Sequence, residues 1–132
     1  MMGSYPYPPN FYQLNTIEFI NVFVKDGEPE KIDKIEKEKS KVSKEDWYKY
    51  IQTIWKINTE KDRSHPAPFP IEIPRRLIEL YSFVDDIILD PFMGSGTTAL
   101  AALYTKRKYV GYELNEKYIR FANNRLKQQI MF

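Results

Sequence analysis

Asp90-Pro91-Phe92-Met93-Gly94-Ser95-Gly96-Thr97-Thr98 (DPFMGSGTT, residues 90–98) is the stretch whose reading decides the fold. Ile87, Ile88 and Leu89 precede it and predict a short buried strand. An alanine-rich run follows and predicts a helix over 98–104. Two glycines at the strand-to-helix turn permit positive φ and let a ligand come close to the backbone. The helix behind them aims free N–H groups and its positive dipole end at that ligand. Residues 109–112 (YVGY) then read as a second strand ending at Glu113. Asn115 reads as the cap of a last helix with Ile119, Ala122 and Leu126 inward. The order β-turn-α-β-α opens a parallel α/β sheet.

Glu113 lies nineteen residues beyond Gly94, at the carboxyl end of the next strand. A carboxylate there accepts hydrogen bonds from vicinal ribose hydroxyls. Turn and carboxylate together predict a small ribose-bearing ligand. Residues 94–99 (GSGTTA) also fit G-x-G-x-x-G/A, so a nicotinamide or flavin nucleotide stays open on the pattern alone. A P-loop fits badly, because no Gly-Lys-Thr follows.

Upstream, Pro74 reads as the opening of a helix with Leu77, Ile78 and Tyr81 on one side. Residues 61–70 form a proline-rich loop. Trp47, Tyr50, Ile51, Ile54 and Trp55 fall at helical spacing, capped by Ser43 with Asp46 three residues on. Residues 25–44 are charged and read as a loop or an exposed helix. Residues 16–24 (TIEFINVFV) are rich in β-branched and aromatic side chains and predict a strand. Pro6, Pro8 and Pro9 keep residues 1–12 extended.

Composition narrows the chemistry. The 132 residues suit one domain, 42% of them hydrophobic and 29% charged. There is no cysteine and a single histidine, His65, which excludes thiolate chemistry and any site needing two imidazoles. No apolar run approaches the ~20 residues of a membrane helix, so a soluble cytoplasmic protein with no membrane partner is expected. Basic residues outnumber acidic ones seven to two over residues 105–132, which reads as a solvated helix face. Over residues 25–49 the charges cancel, eight against eight.

At this point the chain resembles a known family. DPFMGSGTT is similar to the cofactor motif of the DNA amino-methyltransferases, which methylate adenine at N6 or cytosine at N4. Residues 65–70 (HPAPFP) with 71–78 (IEIPRRLI) resemble the segment before that motif, and 110–115 (VGYELN) with Tyr118 resemble the ribose segment. Residues 3–10 (GSYPYPPN) with 16–23 resemble a late block of the catalytic half. The order of the blocks is similar to the permuted class, in which the catalytic half comes earlier.

The resemblance implies S-adenosylmethionine as cofactor, double-stranded DNA as substrate, and a partial Rossmann-like α/β fold with a mostly parallel sheet and flanking helices. Residue by residue, Asp90, Pro91, Phe92, Gly94, Ser95, Gly96 and Thr97 would wrap the methionine part. Glu113 would hold the ribose, with Asn115 in the same segment. His65, Pro66 and Pro68 would close the pocket. Residues 1–24 then form the late catalytic block, 25–60 a charged insert in the target-recognition position, and 61–132 the cofactor-binding subdomain.

The family's chemistry also needs Asp, Ser or Asn, then Pro-Pro, then an aromatic. These groups accept the amine hydrogens, localise its lone pair and stack the flipped base. Pro8-Pro9 is the only such pair, and Tyr7 before and Asn10 after give it reversed polarity. The expectation is a chain without the catalytic tetrapeptide, incomplete by itself: a fragment, the smaller subunit of a split enzyme, or a self-associating remnant. A non-catalytic cofactor-binding or assembly protein is the second reading, and a nucleotide-dependent oxidoreductase module the third.

Overall fold

Two-residue alternation shapes the sheet at the centre of the fold. The computed structural model describes residues 17–28, 31–58 and 70–130, which belong to two compact units, Met1–Glu30 and Lys31–Phe132. The larger unit runs α1 (Lys34–Lys39), α2 (Lys44–Tyr50), α3 (Glu72–Tyr81), β1 (Ile87–Asp90), α4 (Thr97–Tyr104), β2 (Lys108–Gly111) and α5 (Glu116–Ile130). β1 and β2 pair in parallel, Ile87 opposite Lys108 through Asp90 opposite Gly111. The ladder runs one bond further, from Tyr112 N to Asp90 O at 3.0 Å.

Ile88 and Tyr109 face the helices, where they pack with Ile78 of α3 and Ala101 and Ala102 of α4. Ala99, Leu100 and Leu126 continue this core toward α5. Three alanines of α4 have no exposed surface. Such short side chains let the α4 backbone approach the sheet and α3 closely. On the other sheet face, Ile87 is 65% and Leu89 61% exposed, and Val110 is also exposed. The strand predicted as buried is therefore buried on one face only, because among the described residues nothing covers the other.

At the amino ends of the strands, two non-glycine residues adopt left-handed backbone: Asp85 at φ 73° and Lys106 at φ 61°. Asp85 N donates to Lys106 O at 2.9 Å, and Lys108 N to Asp86 O at 2.8 Å. Arg107 is buried beside this joint and donates to Ser82 O from Nη2 at 2.6 Å and to Ser82 Oγ from Nε at 3.2 Å. Burial pulls the Arg107 pKa down, while Glu79 and Asp86 pull it back up. Arg107 is thus a clamp between α3 and β2, not part of a solvated basic face.

Upstream of the sheet, several expectations need correcting. Helix α3 opens at Glu72, with Pro74 inside the first turn rather than at its start. Proline is tolerated there because the first N–H groups have no intrahelical partner. Ser43 caps α2 as expected: Asp46 N donates to Ser43 Oγ at 3.0 Å, and the hydroxyl donates to Asp46 Oδ2 at 2.8 Å. That cap holds the Asp46 carboxyl below its ordinary pKa. Helix α2 stops at Tyr50, because side chains claim its last carbonyls: Gln52 Nε2 donates to Tyr48 O and Trp55 Nε1 to Tyr50 O. Ile51 and Ile54 lie beyond the helix and exposed, and Trp47, within it, is also exposed, so the expected apolar stripe is not formed.

Tyr50 is the buried anchor, its hydroxyl 2.7 Å from Glu79 Oε2. The Arg76 guanidinium lies over the rings of Tyr50 and Trp55, at 5.4 and 5.1 Å. Val84 N donates to Ser40 Oγ at 2.8 Å. Residues 40–55 are thereby docked on α3 and the turn after it, although α1 itself is exposed as expected.

In the smaller unit, residues 17–24 carry no strand, and Phe19, Phe23 and Val24 lie almost fully exposed. The apolar content is right for a strand, but a strand exists only against a hydrogen-bonding neighbour, and none pairs with it among the described residues. Residues 1–16, including the Pro8-Pro9 pair and Thr16, lie outside the described residues. Among those described, no helix is long and apolar enough to cross a membrane.

Candidate functional site

The carboxyl ends of β1 and β2 carry the glycine turn and the acidic strand end predicted from the sequence. Asp90 closes β1, and its Oδ1 accepts from Phe92 N at 2.9 Å. This Asx turn swings the chain off the strand and leaves the Phe92 ring 88% exposed. Met93 N donates to Tyr112 O at 2.9 Å, which holds the turn beside β2. A Cβ at Gly111 would run into the Met93 side chain, so that glycine makes the seat for it.

Gly94 and Gly96 both adopt positive φ, 52° and 81°. Gly96 is the N-cap of α4, with no side-chain bond to the helix. A Cβ there would come 3.0 Å from Ala122 Cβ, so the turn lies directly on α5. Glycine is needed at this position for both its dihedral and its lack of bulk.

Glu113 meets the turn. Gly94 N donates to Glu113 Oε2 at 2.9 Å, and Asn115 N to Glu113 Oε1 at 2.7 Å. One carboxylate thus fixes both the glycine turn and the start of α5. Asn115 Oδ1 accepts from Lys117 N at 3.0 Å and caps α5 as expected. Ala122 and Leu126 are inward as expected, whereas Ile119 is 38% exposed.

Of the predicted site residues, Asp90, Pro91, Phe92, Gly94, Ser95, Gly96, Thr97, Glu113 and Asn115 come together at these two strand ends. Ser95 and Thr97 are buried, their hydroxyls 3.4 Å apart. His65, Pro66 and Pro68 lie outside the described residues. Sequence reasoning missed Arg125 of α5, which reaches the turn by donating from Nη1 to Ser95 O at 3.0 Å. Its spacing was the available signal: Arg125 is three residues after Ala122 and one before Leu126, on the flank of the inward face.

A parallel β-turn-α-β unit with a glycine turn tied to an acidic strand end defines a nucleotide-binding class of α/β proteins. A family model described as DNA methylase matches residues 1–124. The chain belongs to this DNA methylase family. It is 40% identical over 123 residues to the type II methyltransferase M.MjaI of Methanocaldococcus jannaschii, covering 87% of this chain and 40% of that protein. It is 38% identical over 120 residues to the type II methyltransferase M.BglI of Bacillus subtilis, covering 89% of this chain and 33% of that one. The chain thus spans less than half the length of these relatives. Among solved structures, a putative DNA modification methylase of Thermus thermophilus, crystallised with S-adenosyl-L-methionine, superposes with a TM-score of 0.70 at 39% identity. That match covers 79% of this chain and 41% of the other.

Proposed function

We propose that this chain is the S-adenosylmethionine-binding part of a DNA methyltransferase that modifies the exocyclic amine of adenine (N6) or cytosine (N4), acting with a complementary chain that carries the Pro-Pro motif. The observation that carries the reading is the Gly94–Glu113 bond of 2.9 Å, which sets an open glycine turn beside an oriented carboxylate at adjacent strand ends. The residues fit the ligand. Glu113 offers oxygens to a ribose diol, the positive-φ glycines leave the backbone approachable, and the amino end of α4 favours the methionine carboxylate. Phe92, exposed at the rim, offers an apolar surface to the ligand or the base. When bound, the ligand supplies an electrophilic methyl on a sulfonium. The residues of this chain bind and orient it.

Support for a complementary chain comes from the sheet. Each strand pairs with one neighbour only among the described residues, and Ile87, Leu89 and Val110 share a bare apolar face. Unpaired edges and bare apolar faces are features that proteins cover. The insert over residues 25–49 is neutral overall, so the reading of DNA sequence is assigned to the complementary part.

The decisive experiment is transfer of labelled methyl from S-adenosylmethionine to double-stranded DNA, by the chain alone and with a chain carrying Asp/Ser/Asn-Pro-Pro-aromatic. Transfer only by the mixture is expected, and transfer by the chain alone would overturn the need for a partner. Calorimetry tests the ligand, and preferential binding of NAD would overturn the cofactor assignment. Glu113→Ala removes two bonds to a charged group, worth ~1.5–3 kcal/mol each, so affinity should fall by about a hundredfold or more. An unchanged affinity would remove Glu113 from the site.

A further inference from the structure

Arg125 has the geometry of a device acting on the glycine turn. Its Nη1 lies 3.0 Å from Ser95 O, 3.4 Å from Ser95 Oγ and 3.4 Å from Thr97 Oγ1. These contacts cross about thirty residues of chain and fall on the two positions that flank Gly96. The guanidinium is partly buried and also lies over the Phe121 ring, at 5.8 Å. Among the described residues no carboxylate forms an ion pair with it, so its charge is directed at the backbone carbonyl of Ser95. A charge-assisted bond of this kind is stronger than a neutral one.

The bonded carbonyl lies between two glycines of positive φ. Such a peptide has unusual rotational freedom, and a fixed donor on its oxygen removes much of it. Glu113 grips the same turn from the neighbouring strand end through Gly94 N. The turn is therefore held at consecutive residues by an anion on its N–H side and a cation on its C=O side.

We infer that Arg125 is a positioning residue that sets the Ser95–Gly96 peptide for the methionine portion of the ligand, while Glu113 serves the ribose. This rests on the S-adenosylmethionine reading above. Arg125 bonds the turn, so its effect is expected on the ligand parts that the turn holds.

The test compares two ligands on the whole chain. Methylthioadenosine keeps the adenine and ribose of S-adenosylmethionine and lacks the amino-acid portion. Arg125→Met keeps much of the apolar stem and removes the donor. The expected result is S-adenosylmethionine binding weakened roughly tenfold, the scale of one lost charge-assisted bond, with methylthioadenosine binding changed less than about twofold by the same scale. Glu113→Ala should weaken both. Equal losses for the two ligands in Arg125→Met, or no loss for either, would overturn the inference. A wild-type chain that binds neither ligand would instead overturn the cofactor reading on which it rests.

Backbone amide exchange without ligand gives a second readout. Arg125→Met, or Arg125→Leu should the first variant not fold, should speed exchange at Ser95, Gly96 and Thr97 while leaving Leu89 and Val110 as in wild type. Faster exchange throughout the α/β unit would mean a general packing role and would also overturn the proposal.

Discussion

The two faces of the β1–β2 sheet are built from alternate residues of the same two four-residue strands, yet they meet different surroundings. Ile88 and Tyr109 lie under α3 and α4, against alanines with no exposed surface. Ile87, Leu89 and Val110 are as apolar and face outward. Hydropathy does not distinguish the faces; the helices that follow and precede the strands do, since α3, α4 and their contacts all serve one side. The lesson is that burial belongs to a residue's neighbours and not to the residue. Among the described residues, the outward face is apolar and uncovered, which is the observation the proposed partner rests on.

Paired substitutions break that comparison most sharply. Ile88→Asp places a carboxylate against the core and should cost about 3 kcal/mol or more. Leu89→Asp, one residue on, should stay within about 0.5 kcal/mol. Urea unfolding of the two variants reads the difference directly, and equal losses would mean that both faces are covered. Leu89→Asp should further abolish activation by a complementary chain while leaving the fold intact.

A smaller effect is expected where the covered side meets the glycine turn. Gly96→Ala introduces a side chain at φ 81° and 3.0 Å from Ala122 Cβ. The left-handed strain alone is about 1–2 kcal/mol. A lowered melting temperature together with weaker ligand binding would locate the damage at the junction of turn and α5.

The smallest effect concerns the outer layer of the covered side, where the insert docks on α3. Burial first, and then the bond to Glu79, push the Tyr50 pKa up from its ordinary value. The neutral phenol is therefore favoured in the folded state. Its contribution is full below the ordinary tyrosine pKa of about 10 and is lost as pH rises toward the raised folded value. Tyr50→Phe should cost about 1 kcal/mol at neutral pH and show a shallower alkaline loss of stability than wild type. Unfolding curves followed by tryptophan fluorescence (Trp47 and Trp55) from neutral to alkaline pH would check both.

Much of the site was legible because its determinants are local. A strand, two glycines, an alanine run and a second strand ending in Glu113 predict β1, α4 and β2 to within a residue or two, and Ser43 and Asn115 mark their helix starts. What stayed illegible depends on distant partners. Residues 17–24 have strand composition but no strand to pair with among the described residues. Ile87 and Leu89 read as buried because apolar content says nothing of which face is covered. Arg107 and Arg125 read as members of a solvated basic stretch, although their partners lie 25 and 30 residues away in Ser82 and Ser95. Ile54 and Trp55 fit a helical period that Tyr50 ends, because a side chain five residues later takes a helix carbonyl.

The left-handed joint of Asp85 and Lys106 has a bearing on the site at the far end of the strands. With four residues per strand, there is little ladder to correct an alignment error. The bonds Asp85 N to Lys106 O and Lys108 N to Asp86 O act as a zero mark from which both strands are measured. Sliding one strand by a single residue would displace Glu113 from Gly94 by about 3.3 Å, the rise per strand residue, and turn Ile88 or Tyr109 outward. The position of the Glu113 carboxylate beside Gly94 is thus set by two unusual backbone conformations at the opposite end of the strands. A β-branched residue at either of them, which left-handed backbone disfavours, would disturb the calibration without touching a single residue of the site.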